Sequence, residues 1–353
     1  MDRIKRLAEI LVDHSIGVKK GEVIKLNFGY EASDLAHECY KLIIQRGATA
    51  RTNVMVPGFA YTFYKHATDE QLERIPKIGM YEAKNVDAVI SIGTEYNTRE
   101  FTNIDPKKVA KRSKAAKKVS DVYINRDRWV FCEFPTHSLA QDAEMSLEEF
   151  EDLFYKASIR DWKKERQKQE KIRKFLDKGK QVRLVAADTD ISFSIEGRTS
   201  VVSYGLHNLP DGEVYIAPVE DTVEGFIKYT YPAIRSGREV DGVYLEFEKG
   251  KVVTARAKKN EAFLKEMIKI DKGASYLGEF GIGTNYNIKD FVKQIIFDEK
   301  MGGTIHLALG MAYKKGGGKN ESALHWDMIK DLRKGGEIQV DGKVIQRNGK
   351  LLI

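Results

Sequence analysis

Apolar and polar positions follow two different rhythms in the two halves of the chain. In the first half Ile4, Leu7, Ala8 and Leu11 recur at helical spacing, and the turn KKGE leads into an apolar strand, Val23 to Phe28. A helix over Ser33 to Gln45, the break RGA and a β-branched strand over Thr52 to Val56 follow. The run VDAVISIG (Val86 to Gly93) is nearly all apolar, as a strand covered on both faces is, and a helix over Pro106 to Lys118 comes after it. This alternation predicts an α/β domain with a largely parallel sheet. A further helix is expected from Ser146, with Glu149 three residues on completing a capping box.

Beyond the charged stretch DWKKERQKQEKIRKFLDKGK the rhythm changes to strands and hairpins. LVAADTDISFSIEGR, GEVYIAP and GVYLEFEKGKVVTARA alternate with period two, and EIQVDGKVIQRNGKLLI carries DG and NG, strong hairpin signals. Two helices are expected here, Glu261 to Ile270 behind an Asn260 cap and Ile288 to Phe297. The pattern predicts an α+β C-terminal domain rich in antiparallel strands. The boundary is set near Gly179, giving domains 1–179, charged linker helix included, and 180–353.

Composition narrows the class. At 353 residues with 42% hydrophobic and 10% aromatic content, the chain can bury two cores. Its two cysteines, Cys39 and Cys132, exclude a disulfide framework and fit a reducing compartment. The N-terminus lacks the unbroken apolar segment of a signal peptide, and no run approaches a membrane span, so a cytoplasmic protein is expected. The net charge of +7 raises nucleic-acid binding, but 52 acidic residues are interspersed with 59 basic ones. The densest basic stretch alternates sign at helical spacing, as a solvated helix does, and lacks interleaved aromatics. No dinucleotide fingerprint or P-loop is present.

Candidate chemistry concentrates between Tyr276 and Asp327. Glu279, Asp298, Glu299, His306, Tyr313, His325 and Asp327 lie there among glycine turns. Carboxylates and imidazoles are the ingredients of an oxygen- and nitrogen-ligated metal site, although no H-E-x-x-H or paired cysteine occurs. His14, His37, His66 and His137 stand singly and read as surface or packing residues.

The succession GEVYIAP, LGEFGIGTN, DEKMGGTIHLALGMAY and GKNESALHWDMI resembles the thermophilic metalloaminopeptidases of the aminopeptidase T and aminopeptidase S type. LAEILVDHSIGVKKGEVI and DTDISFSIEGR extend the likeness over nearly the whole chain. The resemblance implies two divalent metal ions bound by Glu213, Glu279, His306, Tyr313, His325 and Asp327. Neutral imidazoles and carboxylates suit zinc, cobalt or manganese. Glu279 is the expected bridge between the ions, and His325 and Asp327 would share a strand face with Trp326 turned away. The implied reaction is removal of N-terminal residues from peptides, the free amine of the substrate being held at the site. Glu299 is a candidate proton shuttle, Lys300 a candidate oxyanion stabiliser, and Asp298 a candidate partner of a ligating histidine. A homodimer is also implied. The segment between Tyr313 and His325 is shorter than is common in such proteins, which bears on side-chain preference. The alternatives are a dinuclear hydrolase of another amide or a phosphoester, and a non-catalytic nucleic-acid-binding protein.

Overall fold

A computed structural model describes residues 3–235 and 237–353. It divides into two compact units, one of residues 1–160 with 205–210, the other of 161–204 with 211–353. The first unit holds a parallel sheet whose strands lie in the order Thr49–Met55, Val23–Gly29, Ala88–Gly93, Trp129–Glu133 and Asn208–Leu209. Every pairing in it is parallel, the first four strands in chain order being joined by helical crossovers rather than hairpins. The longest crossover helix is Pro106–Arg126, begun by an Asp105 side chain that accepts the Lys107 N–H. The Ser146 capping box forms as the sequence predicts.

The boundary falls near residue 160, not near Gly179. The charged helix Trp162–Leu176 belongs to the second unit. Its surface is solvated on one side only. Trp162, Glu165, Gln169, Ile172 and Leu176 form a buried stripe at helical spacing that the dense charge pattern obscured. Gln169 anchors it, donating to the Ser203 carbonyl at 2.6 Å and to Thr284 Oγ1 at 3.1 Å.

The second unit is built on antiparallel sheets, one of eight strands and one of five. The five-stranded sheet runs His325–Asp331, Thr304–Gly310, Leu277–Gly283, Glu213–Ile216, Val201–Ser203. Its inner face buries Val214, Ile216, Phe280, Ile282, Ile305, Leu307, Leu309, Trp326 and Met328 in the main core. Both central strands are buried at every position. At the C-terminus, Asp341–Gly342 and Asn348–Gly349 take left-handed conformations at both turn positions, the geometry that makes DG and NG hairpin signals.

Two local expectations fail. The Ile288–Phe297 helix is reduced to Ile295–Asp298. Lys293 sits at φ 61°, and the buried Asp298 carboxylate accepts the Val292 N–H at 2.8 Å, so the segment folds back as a turn. Asn260 precedes the helix Glu261–Met267 but does not cap it, since its amide donates to the Glu239 carbonyl instead.

Candidate metal centre

Strand alternation assembles the site. Residues paired across antiparallel strands share a face, and Ala308 is paired with both Glu279 and Asp327. Next along, Gly281 is paired with both His306 and Tyr215, and Gly283 with Glu213. The outer face of the sheet therefore carries Glu213, Tyr215, Glu279, His306, His325 and Asp327, with alanine and glycine as spacers. Gly281 is required there. A Cβ at this position would lie 2.0 Å from Cε1 and 2.1 Å from Nε2 of His306. Trp326 faces the core against Phe263, as the period-two reading expects.

His306 Nε2 lies 3.1 Å from Glu279 Oε1 and 3.3 Å from Glu213 Oε2. His325 Nε2 lies 3.3 Å from Asp327 Oδ2. The other nitrogen of each ring is fixed by the backbone. His306 Nδ1 is 3.1 Å from the Glu299 carbonyl and His325 Nδ1 is 2.8 Å from that of Met311. A carbonyl only accepts, so Nδ1 is the protonated nitrogen in both rings, and Nε2 is directed at the carboxylates. This is how a ligating histidine is usually oriented.

Lys300 is fully buried and donates to Glu213 Oε1 at 2.8 Å and to Glu299. Burial opposes its charge, yet Glu213 and Glu299 outweigh that and raise its pKa well above the ordinary value. Burial raises Glu213, Glu279 and Glu299, each of them only partly offset by Lys300 or the histidines. Asp327 is also desolvated, but His325 holds it well below the usual carboxylate range. Burial works against the charged form of His306, yet its bond to Glu279 and the nearby carboxylates raise it to about 9. His325 is raised to about 10 against burial, chiefly by Asp327.

Tyr313 packs its ring 5.1 Å from that of His325 and 5.8 Å from that of Tyr215. It is 44% exposed, but burial of its hydroxyl end and the charges of Glu279, Asp327 and Glu299 push its pKa up. Asp298 does not hold a histidine. It is taken up by the Val292 N–H in the turn described above, and burial raises its pKa well above the ordinary range. Three residues went unnoticed in the sequence. Tyr215 stands two positions from Glu213 on the same strand face, a period-two signal that was open to reading. Arg235, which donates to the His325 carbonyl at 2.7 Å, and Tyr229, whose ionisation burial and then Asp327 oppose, come from a distant hairpin and loop and carried no local signal.

The chemistry of the donor set fits a metal. Glu279 Oε2 and Asp327 Oδ1 are buried and accept no hydrogen bond, and Glu213 Oε2 has only the His306 ring, at 3.3 Å. Leaving such an oxygen without a partner costs about 1–3 kcal/mol, and more when it is charged. Glu213, Glu279 and His306 each offer an atom within 4.8 Å of the others, as do Glu299, His306 and Asp327. An antiparallel sheet with buried, cation-deficient carboxylates and backbone-oriented imidazoles is the framework of a metal-dependent hydrolase.

Comparison with known proteins agrees with that class. Residues 1–351 match the family described as thermophilic metalloprotease (M29), and the chain belongs to this family. It is 28% identical to aminopeptidase AmpS of Bacillus subtilis (strain 168), over 98% of each chain. It is 24% identical to aminopeptidase 2 of Geobacillus stearothermophilus, over 88% of this chain and 84% of that one. Its fold is similar to that of wild-type AmpT from Thermus thermophilus, with a TM-score of 0.89 at 21% identity over 99% of each chain. A lesser likeness, TM-score 0.63 at 11% identity over 100% of this chain and 98% of the other, is to a 2,5-dihydroxypyridine dioxygenase from Pseudomonas putida KT2440.

Proposed function

We propose that this protein removes residues one at a time from the free N-terminus of peptides, using two divalent ions held by Glu213, Glu279, His306, Tyr313, His325 and Asp327. The observation that carries the reading is that Glu213, Glu279, His306 and Asp327 fall in two overlapping donor groups that share His306, with Glu299 completing the second. Charge supports a bound cation. Four buried carboxylates face a single buried ammonium, a deficit of three charges when the imidazoles are neutral, and an unpaired buried charge costs several kcal/mol. The ions, zinc, cobalt or manganese by donor type, supply Lewis acidity and a water that ionises near neutral pH.

The protein's own groups do the rest. Glu279 lies beside His306 and across Ala308 from Asp327, where its carboxylate would be shared by the two ions. Glu299 takes the proton of the attacking water and passes it to the leaving amine; burial has moved its pKa in the direction that suits the task. Lys300 spends two of its three N–H groups on Glu213 and Glu299 and turns the third toward the carbonyl oxygen as charge develops there. A carboxylate such as Glu213 or Glu279 holds the substrate ammonium. We also propose a cytoplasmic location and a homodimeric state. Among the described residues no helix is long and apolar enough to cross a membrane.

The substrate amine supplies the test. Acetylation removes its charge and leaves a site carboxylate without its partner, a loss of about two to four orders of magnitude in rate. A metal-loaded preparation should trim a free peptide stepwise and leave its acetylated twin nearly intact, and chelation should stop both. Mass spectrometry of the digests decides it. Equal cleavage of the twins, or first cuts at internal bonds, would overturn the reading.

A further inference from the structure

At the edge of the five-stranded sheet stands an arginine with most of its hydrogen-bonding capacity unused. The segment 229–235 runs along the outer edge of the strand His325–Asp331. There the Thr230 N–H donates to the Ile329 carbonyl at 3.0 Å, and the Asp331 N–H to Thr230 Oγ1 at 3.0 Å. The segment ends in the hairpin strand Ala233–Arg235, where Arg235 Nη1 donates to the His325 carbonyl at 2.7 Å. A guanidinium has five N–H groups, and that bond takes one of them. Among the described residues Arg235 makes no other hydrogen bond and no ion pair. It is half-buried, and burial lowers its pKa, the charge of Asp327 offsetting this only in part. Its cross-strand partner is Arg238, so like charges stand opposite each other, a pairing that destabilises a hairpin. Arg238 is engaged with the Phe263 ring, 4.9 Å from its centre. Lys300 holds Glu213 and Glu299, Lys330 two backbone carbonyls, and Arg333 holds Asp331 and Tyr231. Arg235 has no such partner, and a fork of free N–H groups matches a carboxylate at two points.

We infer that Arg235 binds the C-terminal carboxylate of the substrate, so that the protein acts on dipeptides and tripeptides in preference to longer chains. The inference rests on the aminopeptidase reading, which places the free amine and the scissile carbonyl at the carboxylate cluster. An extended chain of two or three residues spans ~7–11 Å. Arg235 is joined to the carbonyl of His325, whose ring faces that cluster, so the guanidinium stands at the distance of such a chain's far end. A peptide of six or more residues carries its carboxylate past the arginine and gains nothing from it.

The test uses the metal-loaded full chain with leucyl-glycine and leucyl-diglycine, each as the free acid and as the C-terminal amide. At one length or both, the acid should be cleaved at least about 10-fold faster than its amide, as kcat/KM. Arg235→Met should bring that ratio to about 1, and Arg235→Lys, which keeps the charge without the fork, should retain part of it. The ratio is internal to each variant, so the fraction folded cancels. An arginine that only steadied His325 would lower acid and amide alike and leave the ratio in place. Leucyl-glycine with its peptide bond reduced to CH2–NH is not cleaved and gives a second readout by calorimetry on the same metal-loaded chain. Its acid should bind at least about 10-fold tighter than its amide, and the two should bind equally to Arg235→Met. A ratio of about 1 in the wild type at both lengths, or one that Arg235→Met does not move, overturns the carboxylate site alone. No release of leucine from any of these peptides overturns the aminopeptidase reading, and the calorimetry then still decides the carboxylate site.

Discussion

The two histidines of the site differ from ordinary core histidines in which nitrogen the backbone takes. In both, Nδ1 is committed to a carbonyl and Nε2 faces carboxylates. The direction of their shifts sets a pH dependence. Raised to about 9 and about 10 from 6.5, both rings carry a proton at pH 7 in the metal-free protein. In that form they stabilise the fold fully below their unfolded pKa of 6.5, and the contribution disappears as pH rises through 9 and 10. A cation that binds Nε2 must displace those protons. Metal affinity should therefore rise with pH up to about 10, and loading at pH 7 should release up to two protons for the pair of rings. Calorimetry in buffers of different ionisation enthalpy measures that release. Loading with no buffer dependence would show that these rings are not ligands. That both rings must be neutral to bind was legible in the sequence; which nitrogen the backbone takes was not, because the sequence does not show which carbonyls meet them.

At the scale of strands and helices, the regular alternation was readable and the irregular segments were not. Period two placed Trp326 in the core opposite His325 and Asp327, and it would have placed Tyr215 beside Glu213. The segment 288–297 misled because Ile288, Val292 and Ile296 are apolar at helical spacing and are indeed buried. A turn buries the same three residues once Asp298 supplies the hydrogen bond that the helix would have supplied. The charged helix misled in the opposite sense, its stripe of Trp162, Gln169, Ile172 and Leu176 being hidden among nine charged residues. Gly281 shows the limit best. In the sequence it is one glycine of LGEFGIGTN, and only cross-strand pairing with His306 explains the absence of a side chain. Gly281→Ala should push the imidazole away from Glu279, lower stability by about 1–3 kcal/mol and lose at least one metal equivalent. Denaturant titration and metal analysis check the two effects separately. Wild-type metal content in this variant would mean that His306 is not held where its neighbours require it.

For the whole molecule, fold and function separate. A dioxygenase shares the architecture at a TM-score of 0.63, so the fold by itself does not choose the reaction; the side chains on one sheet face do. Assembly is a further property that composition could not reach, since an interface is recognised by which apolar residues stay exposed. The first unit leaves such a surface at the edge of its parallel sheet. The strand Thr49–Met55 is exposed at nearly every position and pairs on one side with Val23–Gly29. Val54, Met55 and Val56 remain open to solvent, and the following helix Phe59–His66 buries none of its residues, Phe59 being 72% exposed. A bare edge strand of this kind is normally blunted by charge or covered, because it invites pairing with another chain. A second copy presents the identical edge, which a two-fold axis makes self-complementary. Light scattering should therefore give a dimer mass at micromolar concentration. Replacing Val54 and Phe59 by lysine and glutamate should shift the mass toward the monomer while far-ultraviolet circular dichroism stays unchanged, since neither side chain is buried in the unit itself. A monomer mass for the wild-type chain would overturn the homodimer; a dimer that survives both substitutions would move the interface to another face.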